Sequence, residues 1–264
     1  MKVAVISFSG NVGKTTIARH LLVPRMPGAK LVSIESINAG GVGGVGDVEI
    51  ANGHVIRGRQ FAELQEFLQV TDDVVVDIGA SNVEELLALM HRYRGSHEDL
   101  DYFIVPTVPA GKQQQDTVAT LAELSRLGIA ADKVRLVFNM VEDGTDLERV
   151  FDPVLAFLRV STVACVSLDC RLGTNEIYGR VNGSGADLSA LAADPADYKS
   201  LIGAATDSTE RLALAQRLAT RRLASGVVPE LDACFAALCL GSGAATVATA
   251  TVAEAMPIRK RVVP

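Results

Sequence analysis

The sequence predicts a doubly wound α/β protein with a mostly parallel sheet and an α-rich C-terminal extension. Three observations carry that expectation. Short runs rich in Val and Ile recur along the chain, segments with helical apolar spacing stand between them, and the alternation stops about two thirds of the way along.

The runs lie at 2–8, 30–34, 73–78, 101–106, 134–138 and 161–167. Apolar strands bounded by short loops read as buried on both faces of a parallel sheet. Helices are expected between them at 15–22, 59–69, 82–92, 114–127 and 147–158, where apolar residues recur at i, i+3 and i+4. One insertion breaks the alternation. A glycine-rich run, Ala39-Gly40-Gly41-Val42-Gly43-Gly44-Val45-Gly46, precedes 48–56, where Asn52-Gly53 is a hairpin signal. The glycine run lacks the Lys and Ser/Thr of a phosphate loop and reads as a mobile loop near the main site.

From about Asp169 the strand signal disappears. Pro195 interrupts a polar stretch, and 208–226 reads as a helix bearing Arg211, Arg217, Arg221 and Arg222. The expected division is a nucleotide-binding unit at 1–170, an α-rich extension at 171–240 packed on it, and a weakly ordered tail at 241–264. No internal repeat is present.

Composition narrows the function classes. With 264 residues, 48% of them hydrophobic, the chain can bury one sizeable core, and with no Trp and 5% aromatics Ala, Val and Leu must fill it. A net charge of −6 argues against uniform attraction to DNA or anionic lipid, leaving local basic patches. The N-terminal apolar run is too short for a signal peptide and no stretch suits a membrane span, so a cytoplasmic protein is expected. Cys165, Cys170, Cys234 and Cys239 are spaced too loosely for a zinc knuckle and read as reduced thiols.

The segment that carries chemistry is Phe8-Ser9-Gly10-Asn11-Val12-Gly13-Lys14-Thr15-Thr16, between the first strand and the first helix. Gly10 and Gly13 allow a turn in which successive N–H groups point at phosphate oxygens, and the helix start adds its positive dipole end. Lys14 would reach the β- and γ-phosphates, and the Thr15 hydroxyl would bind Mg²⁺. Asp77, at the end of the strand run 73–78, can hold Mg²⁺ through water or cap the helix that follows. Asn139 ends another strand with both a donor and an acceptor, which suits the adenine edge. Met140, Val141 and Glu142 do not supply a guanine-reading motif, so ATP is expected over GTP.

The usual loop pattern wants Gly where Phe8 stands. The order Lys-Gly-Gly-x-Gly-Lys-Thr fits better, and the chain resembles the ParA/MinD family of P-loop ATPases, partition and positioning proteins of plasmids and bacterial cells. Gly10, Gly13, Lys14 and Thr15 match that loop, while Ser9 replaces the signature lysine and Asn11 the second glycine. Segment 72–81 is similar to the family's strand ending in Asp-Thr-Pro-Pro, and 102–109 to its strand into a Pro-rich turn. Glu35 occupies the place of the first acid of the Asp-x-Asp segment, with Ile37 at the second. The resemblance implies catalytic roles for Lys14, Asp77 and Glu35, nucleotide contacts from 9–16 and Asn139, an ATP-dependent homodimer, and a DNA-binding adaptor as partner. Ser-Gly-Asn-Val-Gly-Lys-Thr-Thr, Glu-Ser-Ile-Asn and Asn175-Glu176-Ile177-Tyr178 look like the plasmid StbB/TraL group, associated with plasmid stability and conjugative transfer. Slow basal hydrolysis is expected without the lysine. Two other readings stay open. One is a small-molecule enzyme of the dethiobiotin-synthetase kind, for which Lys112 is the one evident anchor. The other is a nucleotide-binding adaptor that hydrolyses little.

Overall fold

The computed structural model describes residues 1–34, 48–50, 56–182 and 184–241. Seven parallel strands form one sheet in the order β3-β2-β4-β1-β5-β6-β7, comprising β1 (Lys2–Val5), β2 (Lys30–Ile34), β3 (Val48–Ile50), β4 (Val74–Ile78), β5 (Tyr102–Thr107), β6 (Val134–Val141) and β7 (Arg171–Gly173). Side chains alternate across it. Ala4, Ile6, Val74, Val76, Phe103, Val105, Leu136 and Phe138 face one core. Val3, Val5, Val75, Ile104 and Val137 face the other.

The first core is covered by α2 (Gly58–Val70), α3 (Val83–Arg92), α4 (Gly111–Arg126), α5 (Leu147–Val150) and α6 (Asp152–Val160), through residues such as Phe61, Leu86, Leu121, Leu147 and Val154. The second is covered by the first helix and by the C-terminal helices α7 (Ile177–Val181), α8 (Leu188–Ala192) and α10 (Ser208–Ala237), through Ile17, Leu21, Ile177, Leu188, Val227 and Leu231, while α9 (Tyr198–Ala204) packs against α10. The first helix begins as α1 (Lys14–Thr16), continues as a π-helical stretch at Ile17–Leu22 and ends in a 3₁₀ turn at Val23–Arg25. Alone it is too short to cover the sheet, and α10 completes the layer, tied to it by an Arg25–Asp232 ion pair at 2.7 Å.

Three expectations are corrected. The run 161–167 is not a strand. Cys165 makes one bridge to Arg135, with Cys165 N donating to Val134 O at 2.9 Å. The edge strand forms instead at Arg171–Gly173, beyond the point where the apolar signal ends, pairing Phe138 with Arg171 and Val141 with Gly173. The helix expected at 147–158 is two, divided at Phe151 with Pro153 in the first turn of the second. The helix expected at 208–226 runs on to Ala237 through Gly226 and Pro229. Proline removes a backbone donor inside a helix, but Ala224, Val227, Leu231 and Cys234 are buried on either side of it, and burial outweighs local propensity. Asp207 caps this helix, accepting from Glu210 N at 2.8 Å.

The strand Val48–Ile50 runs parallel to β2. The Asn52-Gly53 turn, the glycine run 39–46, Glu35 and the tail from 242 lie outside the described residues.

Candidate functional site

The segment 6–13 springs from the carboxyl end of β1, in the middle of the sheet, where Val5 lies level with Asp77 of β4. Ile6 N donates to Ile104 O at 3.0 Å and extends the pairing with β5 by one bond. The loop then turns through two left-handed residues, Asn11 (φ 56°) and Gly13 (φ 83°). Gly10, expected to be a turning point, has no positive φ. The left-handed position falls on Asn11, and Asn tolerates it better than most side chains, so a non-glycine residue can stand there.

Gly13 has a second reason to be glycine. A Cβ there would lie 2.1 Å from Asn139 Nδ2. Asn139, 3% exposed on β6, donates from that nitrogen to Val12 O at 2.9 Å. The carboxamide is therefore a strut between strand and loop, a contact the sequence reading did not anticipate when it placed Asn139 at the base.

Lys14 is the first residue of the helix and is buried. Its ammonium donates to Ser9 O at 2.6 Å and Ser7 O at 3.4 Å, folding the side chain back over the loop. The Thr15 hydroxyl donates to Asp77 Oδ2 at 2.7 Å. Thr15 is exposed, whereas Asp77 is 1% exposed. A carboxylate so deeply buried is tolerated where donors or a cation meet it. A hydroxyl on a nearly buried carboxylate is the kind of hard-oxygen donor pair that Mg²⁺ accepts, so these residues fit the ion. Val12 is buried and Thr16 half-buried; the Thr16 side chain would come within 3.9 Å of a Cβ at Gly13. The structure thus brings together 9–16, Asp77 and Asn139.

Several contributing residues were not singled out from the sequence. Ser9 Oγ donates to Asp116 Oδ2 on α4, and Phe8 N donates to Thr120 Oγ1 at 3.1 Å. Thr117 Oγ1 donates to Thr107 Oγ1 at 3.1 Å, at the end of β5. Buried Gln114, Thr117 and Thr120 recur every third residue of α4, a polar stripe that meets Val150 O, Thr107 and, at Thr120, the loop. That spacing was the available signal. Asn82, fully buried, accepts from Ile56 N at 2.7 Å and donates to Ile34 O at 3.2 Å, and so joins the end of β2 to the chain entering α2.

The C-terminal arginines divide by environment. Arg221 donates to Asp194 O at 3.0 Å and Ala196 O at 2.6 Å and stacks 5.0 Å from the Tyr198 ring, so it fastens α9 to α10. Arg211 donates to Ile202 O at 3.3 Å. Arg217 and Arg222 are exposed, and Arg222 lines an open groove of about 480 Å³ with Arg180 and Glu176. Behind the loop helix, His20 packs 5.8 Å from Tyr178, and burial, aided by Arg19, lowers its pKa to about 4. Burial raises the Cys170 thiol to about 12, with Cys239 next in effect, and raises that of Cys234 as well. Among the described residues no helix is long and apolar enough to cross a membrane.

No family model and no curated protein matches the sequence. Solved structures do. MinD in the MinC:MinD cell division complex of Aquifex aeolicus aligns with a TM-score of 0.50 at 11% identity, covering 78% of this chain and 98% of that one. A second structure of MinD from Aquifex aeolicus gives 0.48 at 13% identity, over 83% and 96%. A Borrelia burgdorferi B31 protein ascribed to plasmid partition, bound to AMPPNP, gives 0.47 at 11% identity, over 82% and 98%. The chain therefore has the ParA/MinD-type P-loop fold, with a helical C-terminal region added.

Proposed function

We propose that this chain is a cytoplasmic ATPase that binds MgATP at 9–16 and works as a nucleotide-dependent switch in plasmid stability, partition or conjugative transfer. The observation that carries the reading is the convergence of Lys14, the Thr15 hydroxyl and Asp77 at one strand end, with Thr15 Oγ1 2.7 Å from Asp77 Oδ2. Lys14 would exchange its bonds to the Ser9 and Ser7 carbonyls for the β- and γ-phosphates, a charge-assisted replacement of neutral acceptors. Thr15 and Asp77 would hold Mg²⁺, which when bound neutralises charge on the phosphates. The loop amides and helix start would fix the triphosphate, and Asn139 would both brace the loop and offer its carboxamide oxygen to adenine. Glu35 is proposed to orient water.

A protein partner is proposed from the likeness in fold to a MinD found in complex with MinC. Self-association with ATP, and DNA reached mainly through an adaptor, complete the proposal. The charge of −6 supports the adaptor, and so do the use of Arg221 in packing and the bond of exposed Arg211 to Ile202 O. These leave few cations of that helix turned to solvent without a bond to the protein's own backbone, Arg217 and Arg222 among them. ATP turnover with and without DNA, alongside light scattering with and without ATP and Mg²⁺, tests this. Slow turnover and a mass that doubles with ATP are expected. Rapid turnover by the isolated protein, or a monomer under every nucleotide condition, would contradict it.

A further inference from the structure

The residue that stands beside Lys14 also stands beside a carboxylate. Ser9, 4% exposed, accepts the Lys14 ammonium on its carbonyl at 2.6 Å and gives its hydroxyl to Asp116 Oδ2. Asp116 is held in place from its own helix, since Thr120 Oγ1 donates to Asp116 O at 2.7 Å and also accepts from Phe8 N at 3.1 Å. The loop lysine serves the β- and γ-phosphates. On that reading Ser9, which holds the ammonium before nucleotide arrives, borders the phosphate site at the lysine's end, and Asp116 borders it through the Ser9 hydroxyl. The group that holds the carboxylate is a neutral hydroxyl, so this contact leaves its negative charge uncancelled.

We infer that Asp116 determines the preference between di- and triphosphate, a conclusion that rests on the nucleotide reading of the loop. ADP ends at the β-phosphate. ATP carries a further negative group toward Asp116, and at the permittivity of a protein surface one added charge as far as about 12 Å from a carboxylate still shifts an equilibrium by roughly tenfold. The carboxylate thus holds the site toward the diphosphate, and a triphosphate gains full affinity only when added positive charge offsets Asp116. A carboxylate that instead held Mg²⁺ or oriented water would have the opposite sign, because its removal would weaken ATP.

The test is the affinity of the full chain for ADP and for a non-hydrolysable ATP analogue in Mg²⁺ buffer. Asp116→Asn keeps an acceptor for the Ser9 hydroxyl and removes the charge. The ratio Kd(ADP)/Kd(ATP analogue) is expected to rise about tenfold, mainly through tighter binding of the analogue, and Asp116→Ala should move it the same way. Thr120→Val slackens the loop and keeps the charge, so both nucleotides should weaken together with the ratio held within about twofold. A ratio that stays constant or falls in both Asp116 variants overturns the inference. If nucleotide binding is nevertheless strong and depends on Lys14, the reading of the loop survives that failure. Absence of binding of either nucleotide to the wild-type chain overturns both.

Discussion

Replacing Gly13 by Ala is the sharpest perturbation of the loop, because the structure names what the added methyl group meets. At φ 83° an alanine carries left-handed strain of about 1–2 kcal/mol. Its Cβ would sit 2.1 Å from Asn139 Nδ2, so the carboxamide must swing away and give up its 2.9 Å bond to Val12 O. Leaving buried polar partners unmet costs a further 1–3 kcal/mol or so. The sum, roughly 2–5 kcal/mol, corresponds to a midpoint lowered by about 5–20 °C in a chain this long. Thermal or urea unfolding of Gly13→Ala, Asn139→Ala and the double variant measures it. Removing Asn139 should relieve the clash, so the two substitutions should couple by about 1–3 kcal/mol, with only backbone strain left in the Asn139→Ala background. An equal cost in both backgrounds, or a total below about 1 kcal/mol, would refute the close contact between loop and strut.

Acid should destabilise the fold through His20. Its folded pKa is lowered to about 4 against an ordinary 6.5, so stability is full above pH 6.5 and falls as pH drops from 6.5 to 4, by about 3 kcal/mol; unfolding of His20→Gln across that range should show a flatter slope. Arg221→Ala should lower the melting temperature, since it removes two bonds to the α8–α9 connection and the stack on Tyr198, whereas Arg217→Ala and Arg222→Ala, both exposed, should leave melting within about 2 °C of wild type. Thr15→Val should abolish the Mg²⁺ dependence of ATP binding, read from titrations with and without EDTA. Competition between ATP and GTP should favour ATP, and a clear preference for GTP would refute the adenine reading of Asn139.

How much of this was legible in the sequence depended on whether a residue's partner was near in sequence or far. Parallel strands advertise themselves because both faces are buried, so Lys30–Ile34 and Val74–Ile78 stand out as apolar runs between short loops. The loop was equally plain, since Gly13, Lys14 and Thr15 act together in one turn. The edge strand Arg171–Gly173 carried no such signal. It is three residues long and its position is set by β6, with Phe138 N donating to Cys170 O at 2.8 Å. Cys165 and its neighbours had the strand-like composition but found only one bridge to β6. Within the site, Thr15 and Asp77 were both named because each closes a recognisable strand or turn. Ser9 and Asp116 were not paired, being separated by 107 positions and joined by one hydrogen bond across helix and loop. Asn139 was placed at the site for its chemistry, yet its contact with Val12 depends on the left-handed turn at Asn11 and Gly13, which only the folded chain displays.

The central claim is that the turn built on Lys14 binds nucleotide phosphates, and calorimetric titration of MgATP into the wild-type chain and into Lys14→Ala tests it most directly. Measurable binding by the wild type is expected, with affinity weakened by well over tenfold in a variant whose circular dichroism and melting show an intact fold. Equal affinity in a well-folded Lys14→Ala chain, or no binding by the wild type, would contradict it.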